Sequence, residues 1–166
     1  VDHRLAELIL IRCAGRLSLP TCNLRQVALL DCDAIELGDN LGEVPHWHLA
    51  AGPNRPTFPQ GLAALDGCRV LTLQCEWFFA KDVSDVTNIE SLEELRLIGG
   101  GPTSERTDLS VLKSLPKLKV LEMLRHSYAA DGLAAFGHLD AIYFGRGKKS
   151  DLPQEVKKIA AKARPK

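Results

Sequence analysis

Apolar side chains recur along the chain in one short pattern: an apolar residue, two of any kind, a second apolar residue, one of any kind, then a third apolar residue. The pattern is clearest at Leu92/Leu95/Leu97 and Leu118/Leu121/Met123. It returns at Cys68/Leu71/Leu73 and Leu139/Ile142/Phe144, and towards the N-terminus at Leu5/Leu8/Leu10, Leu24/Val27/Leu29 and Val44/Trp47/Leu49. The first positions of these seven copies are separated by 19, 20, 24, 24, 26 and 21 residues. Within each copy the last two apolar positions are two apart, the period of a strand that turns alternate side chains to one side. A unit this small cannot bury its own apolar face. Repetition therefore predicts units stacked side by side, their strands forming a parallel sheet and their inward residues one continuous core.

The segments between copies predict two kinds of return. Asp82 to Ile89 spaces Val83, Val86 and Ile89 three apart; Asp108 to Leu115 does the same with Leu109, Leu112 and Leu115, with Asp108 as N-cap and Pro116 as terminator; Asp131 to Leu139 does so with Leu133, Phe136 and Leu139. These predict short helices or helical turns. The first returns, such as Ala14 to Asn23, are too short for more than an extended link, and Gly52 to Gly61 carries Pro53, Pro56 and Pro59 and reads as a non-helical turn. After the last copy, Ser150-Asp151-Leu152-Pro153-Gln154-Glu155 holds helix start signals, and Val156, Ile159, Ala160 and Ala163 form a narrow apolar stripe. A capping helix is expected there, with Lys157, Lys158 and Lys162 facing water. The expected organisation is a repeat region over 1–149 and a basic capping helix and tail over 150–166.

With its strand pattern and returns, the chain resembles the leucine-rich repeat family, whose pattern L-x-x-L-x-L-x-x-N/C-x-L matches best over residues 65–145. The resemblance implies an α/β solenoid of about seven repeats with the parallel sheet on its concave face. In that family an asparagine or cysteine at the ninth position hydrogen-bonds along the turn. Counting nine from Leu5 and Leu24 reaches Cys13 and Cys32, whereas later copies place Gly52, Glu76, Gly100, His126 and Gly147 there.

Composition narrows the function classes. The 166 residues are 45% hydrophobic and 25% charged, ordinary for one globular domain, and carry no formal net charge. That balance opposes nucleic acid or an anionic membrane as the main partner. The charge is uneven, because residues 146–166 hold eight basic and two acidic residues, which leaves residues 1–145 with an acidic excess of six. Five cysteines, an odd number without C-x-x-C spacing, fit a reducing, cytoplasmic setting better than a disulfide framework. Neither an apolar run near the roughly 20 residues of a membrane span nor a secretory leader pattern occurs.

On the strand template, the residues that alternate with the apolar positions point away from the core. Each copy thereby displays two or three of them, and His46, His48, Thr72, Gln74, Arg96, Glu122 and Tyr143 are the polar candidates for contact with a partner protein. Trp77 or Phe79, flanking a core Phe78, and Arg125 are expected at the edge as anchors. Candidate chemistry is thin by comparison. His46 and His48 share a strand face and fit two ligands of a metal site, but neighbouring strands add no third. Arg125-His126-Ser127-Tyr128, near Asp131, lacks an oxyanion site and a defined triad. Cys75-Glu76 has no base at a telling spacing. Neither Gly99-Gly100-Gly101 nor Gly145-Arg146-Gly147-Lys148-Lys149 has P-loop spacing, and both read as turns. The expected function is a non-enzymatic protein-binding module without cofactor. The more specific alternatives are an immunity or inhibitor protein that covers a toxin or enzyme and, from another class, a metal-dependent hydrolase built on His46 and His48.

Overall fold

A computed structural model describes residues 7–19, 23–32, 34–39, 41–52, 58–75, 80–99, 109–124, 130–145 and 152–161. Among the described residues there are ten strands. Eight of them, β1 (Glu7–Ile11), β3 (Gln26–Leu30), β5 (His46–Ala50), β6 (Val70–Cys75), β7 (Glu94–Gly99), β8 (Val120–Leu124), β9 (Ala141–Phe144) and β10 (Ala160–Ala161), form one sheet in chain order. Every pairing in it is parallel. The remaining two, β2 (Ala14–Leu17) and β4 (Ala34–Leu37), pair in parallel as a second small sheet.

The strand pattern explains the register. Leu8, Val27, Trp47, Leu71, Leu95, Leu121 and Ile142 stand opposite one another across the first seven strands, and Leu10, Leu29, Leu49, Leu73, Leu97, Met123 and Phe144 form the next row. A shift of one residue would turn each row to the other face, so the two rows fix the pairing together. From Leu24 onward every described template position is buried in a single apolar cluster. The Trp47 indole is satisfied there by donating to the Val44 carbonyl at 3.1 Å. At the start of the sheet Leu8 and Leu10 are only half-buried.

The returns differ along the chain, as their lengths and apolar spacing together predict. Behind the first strands, β2 and β4 are extended, and a bridge from Glu36 to Gln60 continues that pairing by one residue. Behind the later strands lie α1 (Ala80–Val86) and three 3-10 segments, Leu62–Ala64, Ser110–Ser114 and Ala130–Phe136. Val83, Val86, Leu112, Leu133 and Phe136 from these segments are fully buried in the same core. Two of the three helices expected from the apolar spacing are tighter 3-10 turns. The expected N-cap, Asp108, lies outside the described residues.

The expected capping helix over 150–166 is corrected in extent. A single turn, α2 (Gln154–Lys157), is followed by Ala160 and Ala161 returning to the sheet as β10, with Ile142 N–H donating to the Ile159 carbonyl at 3.0 Å. The edge of β9 offers unpaired backbone groups, and pairing them outweighs one more helical turn on a stripe this narrow. Leu152, Val156 and Ala160 are buried against that end of the core. No described helix is long and apolar enough to cross a membrane.

Candidate functional site

The helices, 3-10 turns and second sheet contribute to the core on one side of the main sheet. Among the described residues no element covers its other face, and three rows of side chains run across it. The first row is Glu7, Gln26, His46, Val70, Glu94, Val120 and Ala141. The second is Ile9, Ala28, His48, Thr72, Arg96, Glu122 and Tyr143. The third is Ile11, Leu30, Ala50, Gln74, Ile98 and Leu124.

The middle row changes character along its length. It begins apolar at Ile9 and Ala28 and becomes polar from His48 to Tyr143. Arg96 lies at its centre. The guanidinium pairs through Nε with Glu94 on its own strand and lies 3.6 Å from Glu122 Oε2 on the next. Thr72 and Glu122 are each only 8% exposed, packed between flanking strands, whereas the Arg96 side chain keeps 35% of its surface. Two carboxylates and one guanidinium thus lie half-withdrawn from water, where charge interactions are stronger than at an open surface. His48 Nε2 donates to Gln74 Oε1 at 3.2 Å, linking the middle row to the third. That third row is otherwise apolar, so an apolar border runs beside the polar centre.

Immediately before the strands lies another charged series. Arg69 Nε donates to Glu93 Oε1 at 2.8 Å and Lys119 Nζ to Glu93 Oε2 at 3.2 Å. Hydrogen bonds from Arg69 first and Lys119 second hold the Glu93 carboxyl below the usual carboxylate range, and Glu93 in turn raises the Arg69 guanidinium. Together with His46, Glu94 and Asp140 these residues line a shallow depression of about 280 Å³. The sequence reading passed over this series. The signal was present, since Arg69, Glu93 and Lys119 occupy one template position in successive copies with alternating charge.

Of the predicted contact residues, the structure places His48, Thr72, Arg96, Glu122 and Tyr143 in one row, with His46 and Gln74 in the rows on either side. Thr72 and Glu122 are buried within the sheet surface instead of standing out from it, because their neighbours across both flanking strands cover them. Trp77, Phe79 and Arg125 lie outside the described residues, as do Glu76, Phe78, His126, Ser127, Tyr128 and residues 146–149. His46 and His48 do share the uncovered face. Among the described residues, however, no three His, Cys, Asp or Glu side chains group in a way that could hold a metal ion. Two described cysteines sit in packing roles: burial pushes the Cys68 thiol up to about 12, and Cys75 is buried at the end of β6. A thiol so poorly ionised is a poor nucleophile. Cys32 Sγ accepts from the Cys13 backbone N–H at 3.4 Å and donates to the Leu30 carbonyl at 3.3 Å, which ties the first turn to the second.

Comparison with protein-family models, with curated proteins and with solved structures finds no match to this chain.

Proposed function

We propose that the chain is a leucine-rich-repeat-like solenoid of about seven repeats that binds another protein through the concave, uncovered face of its sheet, without catalysing a reaction. The observation that carries this reading is the in-register middle row from His48 to Tyr143, centred on the Arg96 pairs and bordered by the apolar third row. Interfaces combine such an arrangement: a preorganised polar centre fixes orientation while neighbouring apolar contacts exclude water. Holding Arg96 between Glu94 and Glu122 before a partner arrives lowers the ordering cost of binding.

A more specific version is favoured by charge. The acidic excess of six over residues 1–145 suits a basic partner, the condition met by an inhibitor or immunity protein that covers a basic toxin or enzyme.

The test is a co-purification from the native host with the wild-type chain, with the double reversal Arg96→Glu/Glu122→Arg, and with Lys113→Glu on the opposite side as control. Reversing both signs retains an opposite-charge pair between positions 96 and 122 while setting residue 96 against Glu94, and circular dichroism reports whether the sheet survives. The partner recovered by the wild type and by the control is expected to be lost with the double reversal. Equal recovery by all three would move the interface away from this face.

A further inference from the structure

The turns that follow β1 and β3 are built alike. Ile11 and Leu30 end these strands as a pair in register, and the residue after each, Arg12 and Asp31, takes the left-handed conformation, with φ 53° and 55°. Two residues beyond the pair stand Cys13 and Cys32, both free thiols. Each sulfur meets the carbonyl two residues back, Cys13 Sγ donating to Ile11 at 3.5 Å and Cys32 Sγ to Leu30 at 3.3 Å. Matching φ values and matching sulfur contacts make the second thiol a copy of the first, displaced by one strand spacing of about 5 Å. The Cys13 N–H donates to Cys32 Sγ at 3.4 Å, so the two residues touch directly. A disulfide joins Cα atoms about 4.4–6.8 Å apart, a range that includes one strand spacing. Sliding of the turns is opposed by Arg12 N–H donating to the Leu30 carbonyl at 2.9 Å and by Arg12 Nε donating to Asp31 Oδ2 at 3.1 Å.

We infer that Cys13 and Cys32 form a reversible disulfide when a hydroperoxide is present, a redox latch that fastens the first strand of the main sheet to the second. The two thiols differ as such a pair requires. Cys13 is half-buried and open to a small oxidant, whereas Cys32 is sealed and 2% exposed. As thiolate, the Cys13 sulfur attacks one hydroperoxide oxygen; an S–O bond forms, the O–O bond breaks, and the other oxygen leaves with a proton as alcohol, or as water from hydrogen peroxide. The Cys32 sulfur then displaces the sulfenic oxygen, so that an S–S bond forms, the S–O bond breaks, and the hydroxyl departs with the Cys32 proton as water. Two thiols and one hydroperoxide become one disulfide, one alcohol and one water, and the sulfurs supply the two electrons. Exchange with a small thiol restores both cysteines. Disulfides of this transient kind are the ones found in reducing compartments.

Cys68 and Cys75 lie towards opposite ends of β6 and cannot replace either partner. The latch acts where apolar burial is weakest, because Leu8 and Leu10 of β1 are only half-buried. It also holds Ile9, the first residue of the middle row on the uncovered face, so the redox state sets how firmly the apolar start of that face is kept in place.

The full chain, reduced and then treated with one equivalent of hydrogen peroxide, is alkylated, digested with trypsin and read by mass spectrometry. Cleavage after Arg12, Arg16 and Arg25 puts Cys13, Cys22 and Cys32 in separate peptides. A linked Cys13–Cys32 peptide that disappears with dithiothreitol is expected. The oxidised wild type should melt about 5–10 °C above the reduced form, with slower exchange of the Arg12 amide, and Cys13→Ser should show neither change on oxidation. The comparison of oxidised with reduced wild type stands without the variant should Cys13→Ser fold poorly. Peroxide treatment that yields only singly oxidised sulfur or a link to Cys22, or a Cys13–Cys32 link that leaves the melting point and the Arg12 amide unchanged, overturns the inference.

Discussion

The chain returns from one strand to the next in two ways, and the difference lies in length and in the spacing of apolar residues. Steps of 19 and 20 residues leave room only for a second extended segment, so β2 and β4 lie parallel behind the first strands and bond backbone to backbone, with Gly38 N–H donating to the Leu17 carbonyl at 3.0 Å and Leu37 N–H to the Gln60 carbonyl at 2.9 Å. Steps of 24 and 26 residues hold α1 and Ser110–Ser114, and a step of 21 holds Ala130–Phe136; together these send Val83, Val86, Leu112, Leu133 and Phe136 into the core. The first half thus holds its back with backbone hydrogen bonds beside the burial of Ile35 and Leu37, the second with apolar residues of helical turns that are sealed completely. Burial of a leucine side chain outweighs one net backbone hydrogen bond, roughly 1.5–3 against 0.5–1.5 kcal/mol. The second half is therefore expected to be the more stable.

Truncating the core tests that contrast most strongly. Leu95→Ala, in a sealed position of the second half, is expected to cost about 3–5 kcal/mol, whereas Leu8→Ala, half-open at the start, should cost about 1 kcal/mol. Urea unfolding curves compare the two, and equal losses would mean that β1 is as tightly packed as β7.

Glycine substitutions probe the same difference through the backbone. Gly99 has φ 115°, and a Cβ there would stand 1.8 Å from the Cys75 carbonyl oxygen. Gly15 in β2 has φ 105° with open space around it. Gly99→Ala combines conformational strain with a backbone collision and should lose about 2–4 kcal/mol; Gly15→Ala carries the strain alone, about 1 kcal/mol. Thermal unfolding is the check, with a clear downward shift in midpoint for the first and a small one for the second.

The cysteines give an effect confined to alkaline pH, absent at neutrality. Cys68, at the junction of the halves, is buried with a thiol pKa raised to about 12 from 9.0, while Cys13 in the first half is half-buried. A raised folded-state value means that the folded chain holds a proton the unfolded chain has already released. Stability contributed by Cys68 is therefore fully present below pH 9 and falls as pH climbs towards 12, on the order of 1 kcal/mol per pH unit. Subtracting the Cys68→Ala profile from the wild-type one isolates this slope, and parallel profiles above pH 9 would show that the thiol is not sealed. At neutral pH a thiol reagent should label Cys13 well before Cys68.

The strands were legible because two apolar rows two residues apart leave little choice of register, as Leu95/Leu97 against Leu121/Met123 illustrates. The kind of return was legible from the shortness of the first links and from the three-residue apolar spacing of the later ones, such as Leu133, Phe136 and Leu139. What the sequence concealed depends on neighbours far along the chain. Glu122 reads as a displayed acid, yet Arg96 and Tyr143 on adjoining strands withdraw it from water. The apolar stripe after Pro153 suits a helix by itself, and only the open edge of β9, some fifteen residues earlier, turns Ala160 into strand. Within the candidate site, membership of the face followed from alternation, but the Glu94–Arg96–Glu122 pairing and the depth of Thr72 required the flanking strands.

Strand order that follows chain order also determines how the molecule comes apart. Each strand of the main sheet leans only on its neighbours in sequence, so peeling β1 away exposes β3 as a fresh margin of the same kind and leaves the remainder standing. A break between β6 and β7, by contrast, splits the core into two pieces. Damage at the first margin is local and reversible, whereas damage at the middle is shared by the whole chain.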